Sequence, residues 1–428
     1  MDGPTVMNEA RRQGVQMHVM VVNNIYPPIM AGGAERIVAY LCEGLARRGH
    51  RVTVVSTCGP QMEPYPTEIR NGVEVIRFFP PNLYWSFERS LKGGPRKWLW
   101  HARDAWNGAA GNRLRAIMER SRPAILHSHL IDGLSAAVWG RAREAGIPVL
   151  HTAHDYHLLC PRAFLLTADW KLCTRPRAHC RLYRGWHQRT TRYVDLFASP
   201  SRFLLDMHEN NGLRARNRAV IHNGIPLPDD RHLIRDRRSA ESRTRFLMLT
   251  RLTNEKGVSV VLDAMAHLPK ELPIEVAIAG KGPLEERVRA AAAADGRIRY
   301  LGFLDGEAKA AALAWAGHLL LPSLWYENAP VTIVEAAAYG LSLIGSDIGG
   351  IPEFVEPGQT GFLFPPGDSR TLAALMTRIA RDANALPDLA ERSETLARRF
   401  GVDRMIEAYE GHYEALLAER LPRMAAAQ

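Results

Sequence analysis

Glu327 and Glu335 stand eight positions apart in the run Tyr326-Glu327-Asn328-Ala329-Pro330-Val331-Thr332-Ile333-Val334-Glu335. The run predicts a loop that ends near Pro330 and a helix that starts there. Proline suits a first helical position, where the N–H it lacks would be unbonded anyway and its φ is already helical. One carboxylate then sits at a loop tip and the other on the first turns of the helix behind it. Between them lies a helix N-terminus, whose free N–H groups favour phosphate, while the carboxylates accept hydroxyl protons. Such a pair could hold a polyhydroxylated, anionic ligand at two points. Two solvated glutamates are the other reading, and spacing alone leaves the two level.

Cations and glycines lie upstream. Arg251 and Lys256 flank the turn Thr250-Arg251-Leu252-Thr253-Asn254-Glu255-Lys256-Gly257. Arginine grips phosphate in a bidentate way and lysine adds a compact charge. Together they could balance a departing nucleotide diphosphate without a metal ion, or they could be a solvated surface pair. Gly32-Gly33 follow one apolar run, and Gly280-Lys281-Gly282-Pro283 follow another. Glycine lets backbone N–H groups approach a phosphate or sugar with no Cβ in the way. Neither spot continues as G-x-G-x-x-G, so both lack a dinucleotide fingerprint and both also read as ordinary turns.

Five of the 16 histidines, His127, His129, His151, His154 and His157, cluster around two predicted strand ends. His129 is held as a second polar contact, and His151 and His157 read as packing or hydrogen-bonding residues. Cys42 and Cys58 read as buried thiols. Cys160, Cys173 and Cys180 fall in one loop near His157, His179 and His187. Three thiols and a histidine could make a tetrahedral zinc site. The spacings are not the compact C-x2–4-C pattern, which favours loop packing or labile redox pairing. The three remain a weak candidate, and no metal is assigned.

These residues need elements to place them. Apolar runs at His18–Val22, Val52–Ser56, Val73–Phe78, Ile125–His127, Val149–Thr152, Phe197–Ser199 and Val220–His222 predict buried parallel strands. Helical patterns such as Ala34–Arg48 and Leu134–Ala145 lie between them. The alternation restarts at Arg245–Thr250, Ile274–Ala279, Ile298–Leu301, His318–Leu321 and Leu341–Gly345. Two such runs predict an α/β protein of two Rossmann-like, doubly wound parallel-sheet domains. Residues 17–222 form the first and 223–402 the second, joined at Asn223-Gly224-Ile225-Pro226 and the polar stretch Pro228–Arg245. Open parallel sheets bind ligands at the carboxyl ends of their strands, so the cleft between the domains is the expected site.

Composition bounds the rest. The chain has 428 residues, 46% hydrophobic and 23% charged, as in a soluble globular protein. No stretch nears about 18 uninterrupted apolar residues. Met17–Val22 is too short for a signal segment, and Met1–Gln16 read as a loose polar leader, so a cytoplasmic protein is expected. Residues 1–222 hold 31 Lys and Arg against 17 Asp and Glu, and the remainder 24 against 28. The first half thus carries +14 and the second −4, which calls for an anionic surface or substrate on the first. No helix-turn-helix, zinc-finger or RNP signature is present, so nucleic acid is not the expected partner.

The ordered set Gly32-Gly33, Arg251 to Lys256, Gly280 to Pro283 and the paired glutamates resembles the family-four glycosyltransferases. The resemblance extends to His154-Asp155, Asn223-Gly224-Ile225, Gly349-Gly350-Ile351-Pro352-Glu353 and Gly361-Phe362-Leu363-Phe364. It implies the two-domain GT-B fold, with a C-terminal helix at 403–428 returning to the first domain. It implies a donor substrate (a UDP-, GDP- or ADP-sugar), no cofactor, no metal and retention of anomeric configuration. Glu335 would hold the nucleotide ribose. Glu327, with the N–H groups of Asn328 and Ala329, would hold the transferred sugar. Arg251, Lys256 and the Gly33 N–H would hold the diphosphate, with Gly32, Gly280 and Gly282 lining the donor site. His154 would donate to a sugar hydroxyl near the reacting carbon. Many members have glycine where this chain has Asn328; asparagine tolerates positive φ, so the loop is expected to be kept.

The acceptor side is written in aromatics and cations. Trp85, Phe87, Trp98, Trp100 and Trp106 mix with Arg89, Lys92, Arg96, Lys97 and Arg103, and residues 162–192 add eight cations against Asp169 alone. Such segments suit an anionic membrane interface, here the inner leaflet, and hence a glycan or lipid-linked acceptor in cell-surface polysaccharide assembly. A solvated basic face is the other reading. The rival functions are a nucleotide-sugar epimerase and an idle nucleotide-sugar-binding protein of the same fold.

Overall fold

The computed structural model describes residues 16–30, 32–63, 65–87, 95–167, 169–227, 244–382 and 398–420. The polar leader before residue 16, Arg89, Lys92, nearly all of the stretch Pro228–Arg245 and the last eight residues lie outside these.

The first half runs β1 (His18–Val22), α1 (Gly33–Arg47), β2 (Arg51–Thr57), β3 (Glu68–Arg70), β4 (Val73–Phe78), α2 (Pro95–Ala105), α3 (Gly108–Ser121), β5 (Ile125–Ser128), α4 (Ala137–Glu144), β6 (Val149–Thr152), α5 (Ala178–Thr190), β7 (Leu196–Ser199), α6 (Arg202–Glu209) and β8 (Asn217–Val220). Its strands order as β3-β4-β2-β1-β5-β6-β7-β8. All pairs are parallel except β3 with β4. The inner strands are buried and mostly apolar because helices cover both faces of a parallel sheet, with Thr53, Ser56, His127, Ser128, His151 and Thr152 among the buried polar exceptions.

The second half runs β9 (Arg245–Leu249), α7 (Val258–His267), β10 (Glu275–Ala279), α8 (Glu285–Ala294), β11 (Ile298–Gly302), α9 (Gly306–Trp315), β12 (His318–Leu321), α10 (Val331–Ala338), β13 (Ser342–Ser346), β14 (Gly361–Phe364) and α11 (Ser369–Arg381). Its order is β11-β10-β9-β12-β13-β14, all parallel. The two-sheet α/β architecture read from the alternation is therefore the observed one.

Four details differ, the first being that Gly361–Phe364, read from the sequence only as a motif, is a sixth strand at the edge of the second sheet. The predicted strand Val220–His222 is instead β8, Asn217–Val220, a half-exposed edge strand that Arg218 and Asn217 hide from an apolar-run reading. The short antiparallel edge β3 had no apolar signature at all. Pro330 is the residue before α10 rather than its first helical one; its ψ of 119° is extended, and the helix opens at Val331.

The last helix, α12 (Val402–Ala418), crosses back and packs on α1 of the first sheet. Its fully buried Tyr413 and Tyr409 reach polar groups at the ends of β5 and β6: Tyr413 Oη lies 2.7 Å from His127 Nδ1, and Tyr409 Oη 3.0 Å from Thr152 Oγ1. Arg48 and His50, at the end of α1 and beyond, meet Glu410 at 2.7 and 3.0 Å.

Candidate active site between the two sheets

The loops after β9 and β12 converge on Glu327. Its side chain is buried, and its Oε1 accepts hydrogen bonds from Lys256 Nζ at 2.7 Å, Ser323 Oγ at 2.7 Å and Trp325 Nε1 at 2.9 Å. Burial works against the charge, but the positive charge of Lys256 and the hydrogen bonds from Lys256, Ser323 and Trp325 outweigh it and hold the carboxyl below its ordinary range. Lys256 also lies 4.8 Å from the Trp325 ring centroid, so the cation is fixed from two sides.

Close backbone packing sets this loop. Gly350 N donates to Glu327 O at 2.6 Å, and a Cβ on Gly350 would come within 1.9 Å of Asn328 O. The Gly349-Gly350 pair read from the sequence is thus the floor beneath the Glu327 loop. Gly280 plays the same part for the turn after β9: a Cβ there would meet Thr250 O at 1.8 Å. Gly282 packs likewise on Leu252 O, so these two glycines have a packing reason apart from any ligand. The turn they clamp presents Arg251 to solvent, its side chain with no hydrogen bond or ion pair among the described residues. Arg251 and Lys256 therefore differ in state: one cation free, one engaged.

Glu335 lies on the second turn of α10. Lys309 Nζ from α9 donates to its Oε1, and Arg36 from α1 approaches to 3.8 Å. Gly33, at the start of α1, faces the start of α10, where an added Cβ would sit 3.4 Å from Val331 Cγ2. Gly32 precedes it, exposed, in extended backbone. No side chain caps α10, so its first N–H groups face this junction.

The first sheet contributes His154, just after β6. Its Nε2 lies 3.0 Å from His129 Nδ1, and its carbonyl accepts from Asn328 Nδ2 at 2.8 Å across the cleft. Burial pushes the His154 imidazole down to about 4, so it is neutral at pH 7 and can donate from one nitrogen only. His129 is buried behind it, its ring tilted by 36° against that of His127 with centroids 4.0 Å apart, and burial first, then the neighbouring imidazoles, drive its pKa well down. His129 thus backs His154 instead of facing the cleft beside it. Asn328 is not in the left-handed region that its tolerance of positive φ anticipated. Its amide instead bridges the two domains, while its Oδ1 has no partner among the described residues. Ala329 O accepts from Asn223 Nδ2 at 3.4 Å, tying the joint to the same loop.

Other contacts across the cleft were not read from the sequence. Tyr156 Oη donates to Tyr326 O at 3.1 Å, and Phe203 lies 5.2 Å from the Tyr326 ring. Glu353 accepts from the backbone N–H groups of Arg202 and Phe203 at 2.8 and 2.7 Å, so a carboxylate of the second domain caps α6 of the first. Ser323 and Trp325 lie four and two positions before Glu327 and could have been found by spacing. Lys309 and Arg36 come from other elements, and no local pattern marks them.

Among the described residues no group of three or more His, Cys, Asp or Glu could hold a metal ion. Cys160 is buried, Cys173 and Cys180 partly so, and all are free thiols; burial, then its two neighbours, push the Cys180 thiol up. No described helix is long and apolar enough to cross a membrane.

The two facing parallel-sheet domains define a GT-B glycosyltransferase fold. Residues 31–228 match the model of Glycosyltransferase Family 4, and residues 229–398 match Glycosyl transferases group 1. The chain belongs to this glycosyltransferase family. It is 27% identical over 395 residues to an uncharacterized 42.6 kDa protein in the cps region of Klebsiella pneumoniae, covering 92% of this chain and 98% of that one. It is 28% identical over 410 residues to glycogen synthase of Mycobacterium tuberculosis, covering 90% of each. Its fold matches that of Anabaena Alr3699/HepE in complex with UDP, with a TM-score of 0.66 at 19% identity, over 93% of this chain and all of that one.

Proposed function

We propose that the chain moves a sugar from a nucleotide-diphosphate donor to an acceptor hydroxyl, retaining anomeric configuration and needing no bound metal. The observation that carries this reading is the convergence on the open end of α10: Glu327 locked to Lys256 at 2.7 Å, Glu335 one turn along, and Arg251 unpaired beside them. A diphosphate leaving group needs positive charge where its negative charge develops. Lys256 and Arg251 supply it, with the Gly33 N–H and the start of α10. Glu335 takes the ribose hydroxyls, exchanging its bonds to Lys309 and Arg36. Glu327, already ionised and fixed, accepts from hydroxyls of the transferred sugar, and neutral His154 donates to another. The donor's C1–O bond breaks as the acceptor oxygen bonds C1 from the same face. The departing phosphate oxygen takes the acceptor's proton, so no protein base is required.

The cps-region relative and the glycogen synthase relative support a place in polysaccharide biosynthesis, and the UDP-bound neighbour supports a nucleotide-sugar donor. A lipid-linked acceptor is supported by the face of α2 and α5. There Trp98, Leu182 and Trp186 are 52%, 76% and 46% exposed, beside exposed Arg96, Arg181 and Arg189. We assign this face to an anionic bilayer. Flotation with anionic vesicles tests it: binding that salt does not weaken, or no binding, would remove it.

Incubation with UDP-, GDP- and ADP-sugars tests the transferase itself. Slow nucleotide release is expected from one of them, unchanged by chelator and abolished in Glu335→Ala and Lys256→Ala. Sugar interconversion without release would establish the epimerase instead, and binding without either reaction the idle protein. Anomeric NMR of the transfer product reads the stereochemistry.

A further inference from the structure

A cavity of about 450 Å³ opens in the first domain next to the candidate active site. Its walls come from six separate segments, and one of them, Phe164, lies 5.7 Å from the ring of Trp325, the residue that donates to Glu327. The volume falls in the range of small-molecule sites, roughly 300–1,000 Å³. Aromatic rings and carboxylates line it, with two water-exposed cations, Lys97 and Arg162, on the wall. Trp100, Phe164 and Trp170 supply flat apolar faces, and Asp132 and Asp155 supply carboxylates.

Each carboxylate is anchored through one oxygen. Asp132 Oδ1 accepts from Asn24 Nδ2, and Asp155 Oδ1 from His157 N at 2.8 Å. Neither second oxygen has a hydrogen-bond partner among the described residues. Two further atoms on the wall, Ser86 Oγ and His101 Nδ1, are buried with no such partner either. Buried polar atoms in folded proteins are normally satisfied, so a wall with several unsatisfied ones is shaped for a polar guest. The loop carrying Phe164 and Trp170 also holds three non-glycine residues in left-handed backbone: Ala163, Leu165 and Trp170, at φ 58°, 52° and 61°. Such conformations cost of order 1 kcal/mol each and persist where the surroundings impose them.

We propose that this cavity binds the acceptor and selects an uncharged, hydroxyl-bearing saccharide end, rejecting one that carries phosphate. The proposal rests on the transferase reading above and names its acceptor class. Sugar C–H edges lie on the negative faces of aromatic rings, and sugar hydroxyls donate charge-assisted bonds to carboxylates. Phosphate has no such complement here. Burial first, and then the charges of Asp132 and Glu35, push the Asp155 carboxyl up to about 7, so desolvation and the neighbouring carboxylates both oppose further negative charge in the cavity. A dianion brought into it would meet that field unpaid by any buried cation; Lys97 and Arg162, on the same wall, are exposed to water, and Arg162 is already engaged with Leu166 O at 3.2 Å.

The test is saturation-transfer NMR on the full chain with neutral methyl glycosides of glucose, galactose, mannose and N-acetylglucosamine, each paired with its 6-phosphate. At least one neutral glycoside is expected to bind in the millimolar range and its phosphate about tenfold more weakly or not at all. Asp132→Asn and the partly exposed Trp170→Ala are each expected to weaken that binding by about tenfold, with melting curves confirming that the variants fold. Because Trp170 supports no core, it keeps the test open even where Asp132→Asn fails to fold. Tighter binding of a phosphorylated sugar, no neutral binding at about 100 mM, or variants that bind like the wild type would overturn the proposal. Nucleotide release by the wild type is read separately, so its absence would count against the transferase reading while the glycoside binding still reports on the cavity.

Discussion

Glu327 stays ionised inside the protein because Lys256, Ser323 and Trp325 all converge on one of its oxygens. Removing one partner of a buried pair leaves the other charge stranded, at a cost of about 3 kcal/mol or more. Lys256→Met is therefore expected to lower unfolding free energy by about 3 kcal/mol in urea, and Lys256→Met with Glu327→Gln to recover much of it. Equal losses in the single and double variants would show that the pair is not coupled. Asn328 makes a different prediction. Its amide spans the domains from an ordinary backbone conformation, so Asn328→Ala loses one hydrogen bond, about 1 kcal/mol. Asn328→Gly should lose that and a further ~0.5–1 kcal/mol of backbone entropy, although glycine is common there in the family. Thermal melts of the two variants decide it; a glycine variant as stable as the alanine one contradicts the observed backbone.

The elements around the site work through contact between backbones, and this governs how much of them the sequence could reveal. Gly350→Ala puts a Cβ where Asn328 O now lies, so the Glu327 loop must move while the sheet behind it stays. Nucleotide release in that variant should fall at least about tenfold, since a misplacement near 1 Å can cost about a hundredfold, with far-ultraviolet circular dichroism unchanged. The inner parallel strands were legible because burial on both faces forces continuous apolar runs. The edge strands β3 and β8 were not, since solvent on one side lets Glu68, Arg70, Asn217 and Arg218 into them. At the site, Glu327, Glu335, Lys256 and His154 could be picked out as ordered motifs. Lys309, Arg36 and Glu353 could not, because their partners lie 26 to 299 positions away and only the packing of helices brings them together. The acceptor cavity was legible only in part: Phe87, Lys97, Trp100 and Arg162 stood among the aromatics and cations read for the acceptor side, while Asn24, Glu35 and Asp132 come from segments with no shared pattern.

At the scale of the molecule, the first domain buries an unusual number of neutral histidines. Burial pushes His154 down to about 4 and His208 to about 3, and takes His127, His129, His151 and His187 well below the ordinary value. In the unfolded chain these rings take up a proton below about 6.5, whereas the folded ones do not. The unfolded state then binds more protons, so stability falls as pH drops from about 6.5 toward 4. Each uncoupled ring costs roughly 2 kcal/mol at pH 5. Asp104 and Asp155 act in the opposite sense, since burial raises both and the fold keeps their protons to higher pH. Six rings outnumber two carboxyls, so the urea midpoint should drop clearly between pH 7 and pH 5. A flat profile would mean that the histidines are charged in the fold.

The return of α12 to the first sheet has a consequence for how the chain is made. Tyr409 and Tyr413 satisfy His127 and Thr152, yet they leave the ribosome after the whole second domain has been synthesised. The domain that emerges first is thus the last to be finished. Until the final helix arrives, it must wait with an open groove beside α1 and His127 Nδ1 unmet, exposed to chaperones and proteases. A stop codon placed just before Val402 would leave every residue of the first sheet in the product and still spoil that sheet, harming the part of the protein already built.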